Sequence, residues 1–395
     1  MIDRLTLTNF KAFQHAEIPL GPLTLLTGLN SSGKSTVMQS LALLYQSRMS
    51  ADPAKVWDIV HEEQGLQFKI TNLDGFLLNG ELVSLGTGQD VLHEDFAGEE
   101  PLITLALVNG PYRYSYTVSY EPEQNLLPMG EVLTPAMEEG PENLHAALLE
   151  PGYFRAPFQY LHADRISPAE RHPRDHQVAI GRGFLGVRGE HTVNFLRHHA
   201  RDEVPDGPLR HTRAKSPLLL DQVAAWMGEL CPGVNLEAAP IEGTDTVRLS
   251  YGFGDALTAT RRRRPTNVGF GLTYALPIVV ACLTAQPGGL ILLENPEAHL
   301  HPQGQTKMAQ LAASAAAHGA QLIVETHSDH VLNGMRLAVK QGLLTPEQAV
   351  VHFFRSADGS GVEVITPHID EDGQLDQWPM GFFDELENTL VQLLD

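Results

Sequence analysis

Cysteine is almost missing from this chain: Cys231 and Cys282 are the only two in 395 residues. Two thiols cannot staple a small fold, so a reducing, cytoplasmic setting is expected. Long apolar runs are missing as well. The longest, over 274–285, contains Pro277 and is too short to cross a bilayer, so no membrane role is expected. The opening MIDRLTLTNFK has no apolar core of the signal-peptide kind. Basic residues are scarce, 27 Lys and Arg against 48 Asp and Glu, for a net charge of −21. That balance excludes coating nucleic acid or anionic membrane by bulk charge, though not a local basic patch. There are no internal repeats and no sustained heptads, which excludes a solenoid and a long coiled-coil arm.

What is present fits a large globular chain of two to three domains, with 43% apolar residues. Residues 1–47 read as strand, strand, loop, helix. Residues 66–120 read as β-rich, with strands over 102–108 and 112–120. Residues 121–150 read as a loop with a short helix. Over 155–215 the composition shifts: eleven Arg and Lys face seven Asp and Glu, with seven histidines. A helix is expected over 218–230 and a strand over 247–253. From 271 the chain alternates helix 271–285, strand 290–293, helix 303–317, strand 321–325, helix 330–341 and strand 350–354. That βα rhythm predicts a mostly parallel sheet. Three regions follow: 1–150 with a β-rich lobe, an Arg- and His-rich insertion over 151–265, and 266–395 completing the α/β core.

Gly28-Leu29-Asn30-Ser31-Ser32-Gly33-Lys34-Ser35 fits GxxxxGK[ST], with a strand before it and a helix after. Such a loop turns its N–H groups onto phosphate oxygens. Lys34 would reach the β and γ phosphates, Ser35 would ligate Mg²⁺, and Thr36 would touch the α phosphate of ATP. At 290–293 an apolar strand ends in Glu294, where a carboxylate can hold Mg²⁺ or its water shell. A second strand, 322–325, leads into Thr326-His327-Ser328. His327 can hydrogen-bond the γ phosphate or the attacking water.

Together these pieces resemble the ABC-type ATPase heads of the SMC, RecF and OLD group. The resemblance rests on IDRLTLTNFKAF, GLNSSGKST, LILLENPEAHLHP and ETHSDH. Asn267-Val268-Gly269-Phe270-Gly271 is similar to the group's degenerate signature motif. The ending Trp378-Pro379-Met380-Gly381-Phe382-Phe383-Asp384 resembles the closing signature of one bacterial subfamily. The fold implied is α/β: a P-loop NTPase core of the ABC-ATPase head type, with a β-rich N-terminal lobe and a helical or irregular middle insertion. Two heads would pack as a homodimer, or a higher-order homo-oligomer, around two ATP molecules. Asn30, Ser31, Ser32, Gly33, Lys34, Ser35 and Thr36 of one copy would face Asn267, Gly269 and Gly271 of the other.

One departure stands out. Relatives carry a second carboxylate directly after the magnesium-binding one, and here that position is Asn295. An amide cannot take a proton from water. Either Glu297 is the base, or Glu294 serves both tasks, or hydrolysis is slow and the protein is an ATP-gated clamp. Arg165, in Tyr160-Leu161-His162-Ala163-Asp164-Arg165-Ile166-Ser167-Pro168, reads either as a contact to nucleotide or opposing subunit or as an ion pair with Asp164 or Glu170. Gln46 reads as a magnesium sensor or as a solvated helix residue. His299 and His301 read as structural rather than as a metal cluster. Arg261, Arg262, Arg263 and Arg264 are the candidate nucleic-acid surface. Two function classes follow: an ATPase acting on nucleic acid in repair or phage defence, or an ATP-gated module that holds and releases a separate effector, a nuclease or toxin. Too little chain follows His327 for the metal-rich nuclease domain of OLD-type relatives, so a partner would supply any nuclease.

Overall fold

The structure is a computed structural model. It describes residues 1–50, 58–62, 65–69, 74–110, 112–129, 154, 157–254, 261–357, 361–384, 389–390 and 392–393. In chain order, β1 (Arg4–Phe10), β2 (Phe13–Pro19) and β3 (Leu23–Gly28) precede α1 (Lys34–Ser50). Next come β4 (Asp58–Glu62), β5 (Gly65–Lys69), β6 (Gly75–Leu77), β7 (Leu102–Asn109), β8 (Tyr112–Ser119) and β9 (Leu126–Pro128). The middle of the chain holds β10 (Phe158–Leu161), β11 (His172–Pro173), α2 (Thr192–His199), α3 (Leu219–Leu230), β12 (Val234–Pro240) and β13 (Thr246–Phe253). The last part runs α4 (Phe270–Leu283), β14 (Leu290–Glu294), α5 (Pro302–Ala317), β15 (Gln321–Glu325), α6 (Asp329–Lys340), β16 (Ala349–Ala357) and β17 (Gly361–Ile365). Of the loop and helix expected over 121–150, the stretch beyond Met129 lies outside the described residues.

The chain divides into two compact units. The first comprises Met1–Gly21, Gly28–Ala156 and Phe353–Ile365. Its main sheet is antiparallel, in the order β2-β1-β7-β8. Leu5 and Leu7 of β1 and Leu105 and Leu107 of β7 are buried and sit opposite one another in register. Burying alternate positions of a strand locks that register, because a one-residue slip would turn the leucines to the other face. The outer part of β16, Phe353–Ala357, pairs antiparallel with β17.

The second unit comprises Pro22–Thr27, Pro157–His352 and Thr366–Asp395. Its centre is the α/β sheet whose strands follow the order β10-β14-β15-β3-β16. The β10–β14, β14–β15 and β15–β3 pairs are parallel. Leu290, Ile291, Leu292 and Leu293 are all buried, as are Leu322, Ile323 and Val324. Continuous apolar strands are what a sheet covered on both faces requires. Parallel strands present their C-terminal ends at one edge, so β14 and β15 deliver Glu294 and Glu325 side by side in register. Apart from this sheet, β11-β13-β12 form a small antiparallel one.

Candidate functional site

The phosphate-loop residues belong to the first unit. Gly28, Ser31 and Gly33 have φ of 136°, 60° and 93°. Alternating left-handed positions curl a loop so that successive N–H groups point inward. Gly28 has a second constraint: a Cβ there would lie 2.0 Å from the carbonyl oxygen of Phe354. Ser32 Oγ donates to Leu29 O at 2.7 Å, bracing the loop from within. Lys34 opens α1 and is buried. Its Nζ donates to the carbonyls of Gly28 and Leu29 at 3.1 and 2.5 Å. The ammonium is thus aimed across the mouth of its own loop. Asn30 and Ser31 are exposed, Ser35 is half-buried and Thr36 is buried.

Gln46 lies farther along α1 and is 4% exposed. Its Oε1 accepts from Leu82 N and Val83 N, and its Nε2 donates to the carbonyls of Leu77 and Val83. All its hydrogen-bonding capacity goes into the 77–83 turn. The side chain fastens α1 to the β lobe and is not a solvated helix residue.

The second unit gathers Glu294, Glu297 and His327 at the sheet edge. Glu294 Oε1 accepts from Tyr160 Oη at 2.5 Å, and Oε2 accepts from Ala163 N at 2.8 Å. Burial, then the neighbouring Glu294 charge, pushes the Tyr160 hydroxyl well above its ordinary pKa, so it remains a donor. Asn295 takes φ of 43°, a left-handed conformation that asparagine tolerates better than most residues. Its Oδ1 is buried without a partner among the described residues. Glu297 Oε1 accepts from His327 N at 2.9 Å, and its Oε2 is likewise buried and unpartnered among them. His327 is therefore tied to Glu297 through its backbone, and the residue is exposed. Ser328 caps α6, accepting from His330 N and Val331 N, and donates to Gln305 at 2.5 Å.

Arg165 departs from both readings of the sequence. It is fully buried and pairs with neither Asp164 nor Glu170. Those acids pair instead with Arg188 and Arg264. Arg165 donates to three backbone carbonyls, those of His162, Glu294 and Asn295, at 3.0, 2.7 and 2.6 Å. Burial lowers its pKa to about 10, against the pull of Glu297, Tyr274 and Glu294, so it stays charged at neutral pH.

Asn267 and Gly269 lie exposed ahead of α4, with Gly269 at its N-cap. The two glycines differ. A Cβ on Gly271 would lie 2.6 Å from His299 O, so this chain's own backbone explains Gly271. A Cβ on Gly269 would meet nothing within 4 Å among the described residues. Asn267, Gly269 and Gly271 line a cavity of about 400 Å³ together with His299 and His301. His299 packs edge-on against Tyr274 at 4.7 Å, and His301 is the N-cap of α5. No metal-binding group of three or more His, Cys, Asp or Glu occurs among the described residues.

In the arginine run, Arg262 bonds Asn235 and Glu237, Arg263 lies over Phe253, and Arg264 pairs with Glu170 at 2.6 Å. Three of the four charges thus already have protein partners. Sequence reasoning missed Tyr160 and Ala163 as the holders of Glu294. The only signal was their place in the Tyr160–Arg165 stretch.

A family model described as "AAA domain, putative AbiEii toxin, Type IV TA system" matches residues 23–333. A second, described as a protein of unknown function (DUF3696), matches residues 344–393. An OLD nuclease of Thermus scotoductus is 23% identical over 401 residues, covering 95% of this chain and 68% of that protein. Among solved structures, an SMC head bound to the C-terminal winged-helix domain of ScpA shares 14% identity at a TM-score of 0.50, covering 94% of this chain and 98% of the other. That likeness establishes the fold. An SMC head domain from Thermotoga maritima matches at 12% identity and a TM-score of 0.43, over 92% and 98% of the two chains.

Proposed function

The chain belongs to the AAA-domain family whose model spans residues 23–333, and from that premise we propose that it is an ATP-hydrolysing head that dimerises around ATP. The observation that carries this reading is Glu297: one carboxylate oxygen is fixed by an amide and the other is buried without a partner among the described residues. A buried acceptor left open costs stability unless something occupies it. The proton of an attacking water is a fitting occupant, and Glu297 then acts as the general base in place of Asn295.

The residues suit a magnesium nucleotide. The curled Gly28–Lys34 stretch offers N–H donors and one buried ammonium to phosphate oxygens. Ser35 and Glu294 are hard oxygen donors of the kind magnesium prefers. Tyr160 and Ala163 keep the Glu294 carboxylate oriented while leaving lone pairs on both oxygens. When bound, the ion would neutralise charge developing on the transferred phosphoryl group. His327 would donate to the γ phosphate. Asn267, Gly269 and Gly271 would meet the nucleotide of a second copy. Gly269 supports this, since no neighbour among the described residues demands a glycine there.

We place the head in a cytoplasmic system in which nucleotide state governs a second component. The paired arginines at 262–264 leave little preformed charge for nucleic acid, which favours an effector protein such as a nuclease or toxin over direct action on DNA in repair or phage defence. Among the described residues no helix is long and apolar enough to cross a membrane. The test is calorimetric ATP titration with steady-state hydrolysis. Lys34→Ala should abolish ATP binding and leave the circular dichroism spectrum unchanged, because the Nζ bonds to Gly28 O and Leu29 O tie Lys34 to its own loop rather than to the sheet core. Unchanged ATP affinity in that variant overturns the phosphate-loop assignment.

A further inference from the structure

We propose that Arg165 is a positioning residue for the hydrolysis proposed above, fixing the turn that carries Glu297 and joining it to helix α4. The inference rests on that reading of function and adds a residue to it.

The geometry begins with unequal strands. β10 pairs with β14 only as far as Leu161 opposite Leu293. Beyond that point the carbonyls of Glu294 and Asn295 get no partner from β10. Arg165, four residues past Leu161, fills the gap: Nη1 reaches Glu294 O at 2.7 Å and Nη2 reaches Asn295 O at 2.6 Å. A guanidinium spans two adjacent carbonyls with its planar fork, whereas a lysine ammonium offers a single point of charge.

The carbonyl of Asn295 also accepts from Ala298 N at 3.1 Å, closing the turn in which Glu297 sits. Arg165 therefore holds the hinge of that turn, at a residue already in a left-handed conformation. A small shift there moves Glu297 Oε2 away from the place a reacting water must take. A misplacement of about 1 Å at a reacting centre costs on the order of 10²-fold in rate.

The other side of Arg165 meets a different element. Its Cζ lies 5.4 Å from the centre of the Tyr274 ring, and Tyr274 is on α4. Tyr274 packs edge-on against His299, whose carbonyl lies against Gly271. The loop after the acidic strand, α4 and the strand end thus share one buried cation. A second copy engaging Gly269 at the start of α4 would press on the element that rests against Arg165.

The experiment compares Arg165→Lys, Tyr274→Leu and the double variant with the parent in single-turnover ATP hydrolysis, with calorimetric ATP affinity measured on the same samples. Arg165→Lys should lower kcat by about 10- to 100-fold and leave the ATP Kd within about twofold. Tyr274→Leu should lower kcat by a smaller factor, and should cost nothing further in the Arg165→Lys background, the non-additivity expected of groups acting through one contact. A parent kcat in Arg165→Lys, an equal loss in Kd and kcat, or additive effects overturn the proposal. If Arg165→Lys does not fold, Tyr274→Leu decides alone, and a parent kcat there overturns it. A parent protein that hydrolyses no ATP instead overturns the ATPase reading, which separates the two failures.

Discussion

Replacing Glu297 with glutamine isolates the chemistry from the architecture. Glutamine has the same shape, and its Oε1 can keep the 2.9 Å bond from His327 N. The amide nitrogen would take the place of Oε2, which has no partner among the described residues, so no hydrogen bond of the fold is broken. What is lost is a basic lone pair where water would be deprotonated. A positioned general base contributes about 10²- to 10⁴-fold, equivalent to about 2.7–5.5 kcal/mol of barrier. Glu297→Gln should therefore slow single-turnover hydrolysis by that factor, leave ATP affinity near the parent value, and let the ATP-bound dimer accumulate. The assay is chemical-quench hydrolysis at enzyme excess, run beside sedimentation velocity of the same samples. Hydrolysis at the parent rate in Glu297→Gln, with a large loss in Glu294→Gln, refutes Glu297 as the base. A parent that binds ATP and dimerises but barely turns over points instead to the clamp that Asn295 suggested from the sequence.

The two signature glycines should respond in opposite ways. Gly271→Ala forces a Cβ to within 2.6 Å of a backbone carbonyl and should cost about 1–3 kcal/mol in urea denaturation. Gly269→Ala meets no atom within 4 Å among the described residues, so stability should stay within about 0.5 kcal/mol while ATP-driven association weakens. Unaltered association in Gly269→Ala would remove that glycine from the interface. Gln46→Ala strands buried backbone groups in the 77–83 turn, each worth about 1–3 kcal/mol. It should lower Tm by several degrees and leave the magnesium dependence of ATP binding unchanged. A shifted magnesium requirement with an unchanged Tm would support the sensor reading.

The sequence by itself determined the elements whose signals are local. Helix α5 over 302–317, strand β15 over 321–325 and the strand ending in Glu294 fall where periodicity and apolar runs predicted them. The family and the fold were legible because an NTPase core writes its motifs contiguously, each at a strand-to-helix junction. That the short apolar strand ahead of Gly28 and the strands over 290–293 and 321–325 belong to one parallel sheet followed from the same rhythm. Chain segments far apart in sequence then decided what the individual side chains do. Arg165 read either as a contact to nucleotide or opposing subunit or, because its neighbours Asp164 and Glu170 are acidic, as an ion-pairing residue. The structure buries it instead, because β10 ends one pairing short of β14 and leaves two carbonyls to satisfy 130 positions away. Tyr160 and Ala163 hold Glu294 across a similar separation. Gly271 and Gly269, two residues apart in one motif, part company only when His299 is brought against the first and not the second. Three of the four arginines, Arg262, Arg263 and Arg264, read as free charge until Glu237, Phe253 and Glu170 are folded beside them. A residue type fixes which bonds a side chain can make. Burial and the partners delivered by distant segments fix which of those bonds it does make, and no local pattern in the chain carries that information.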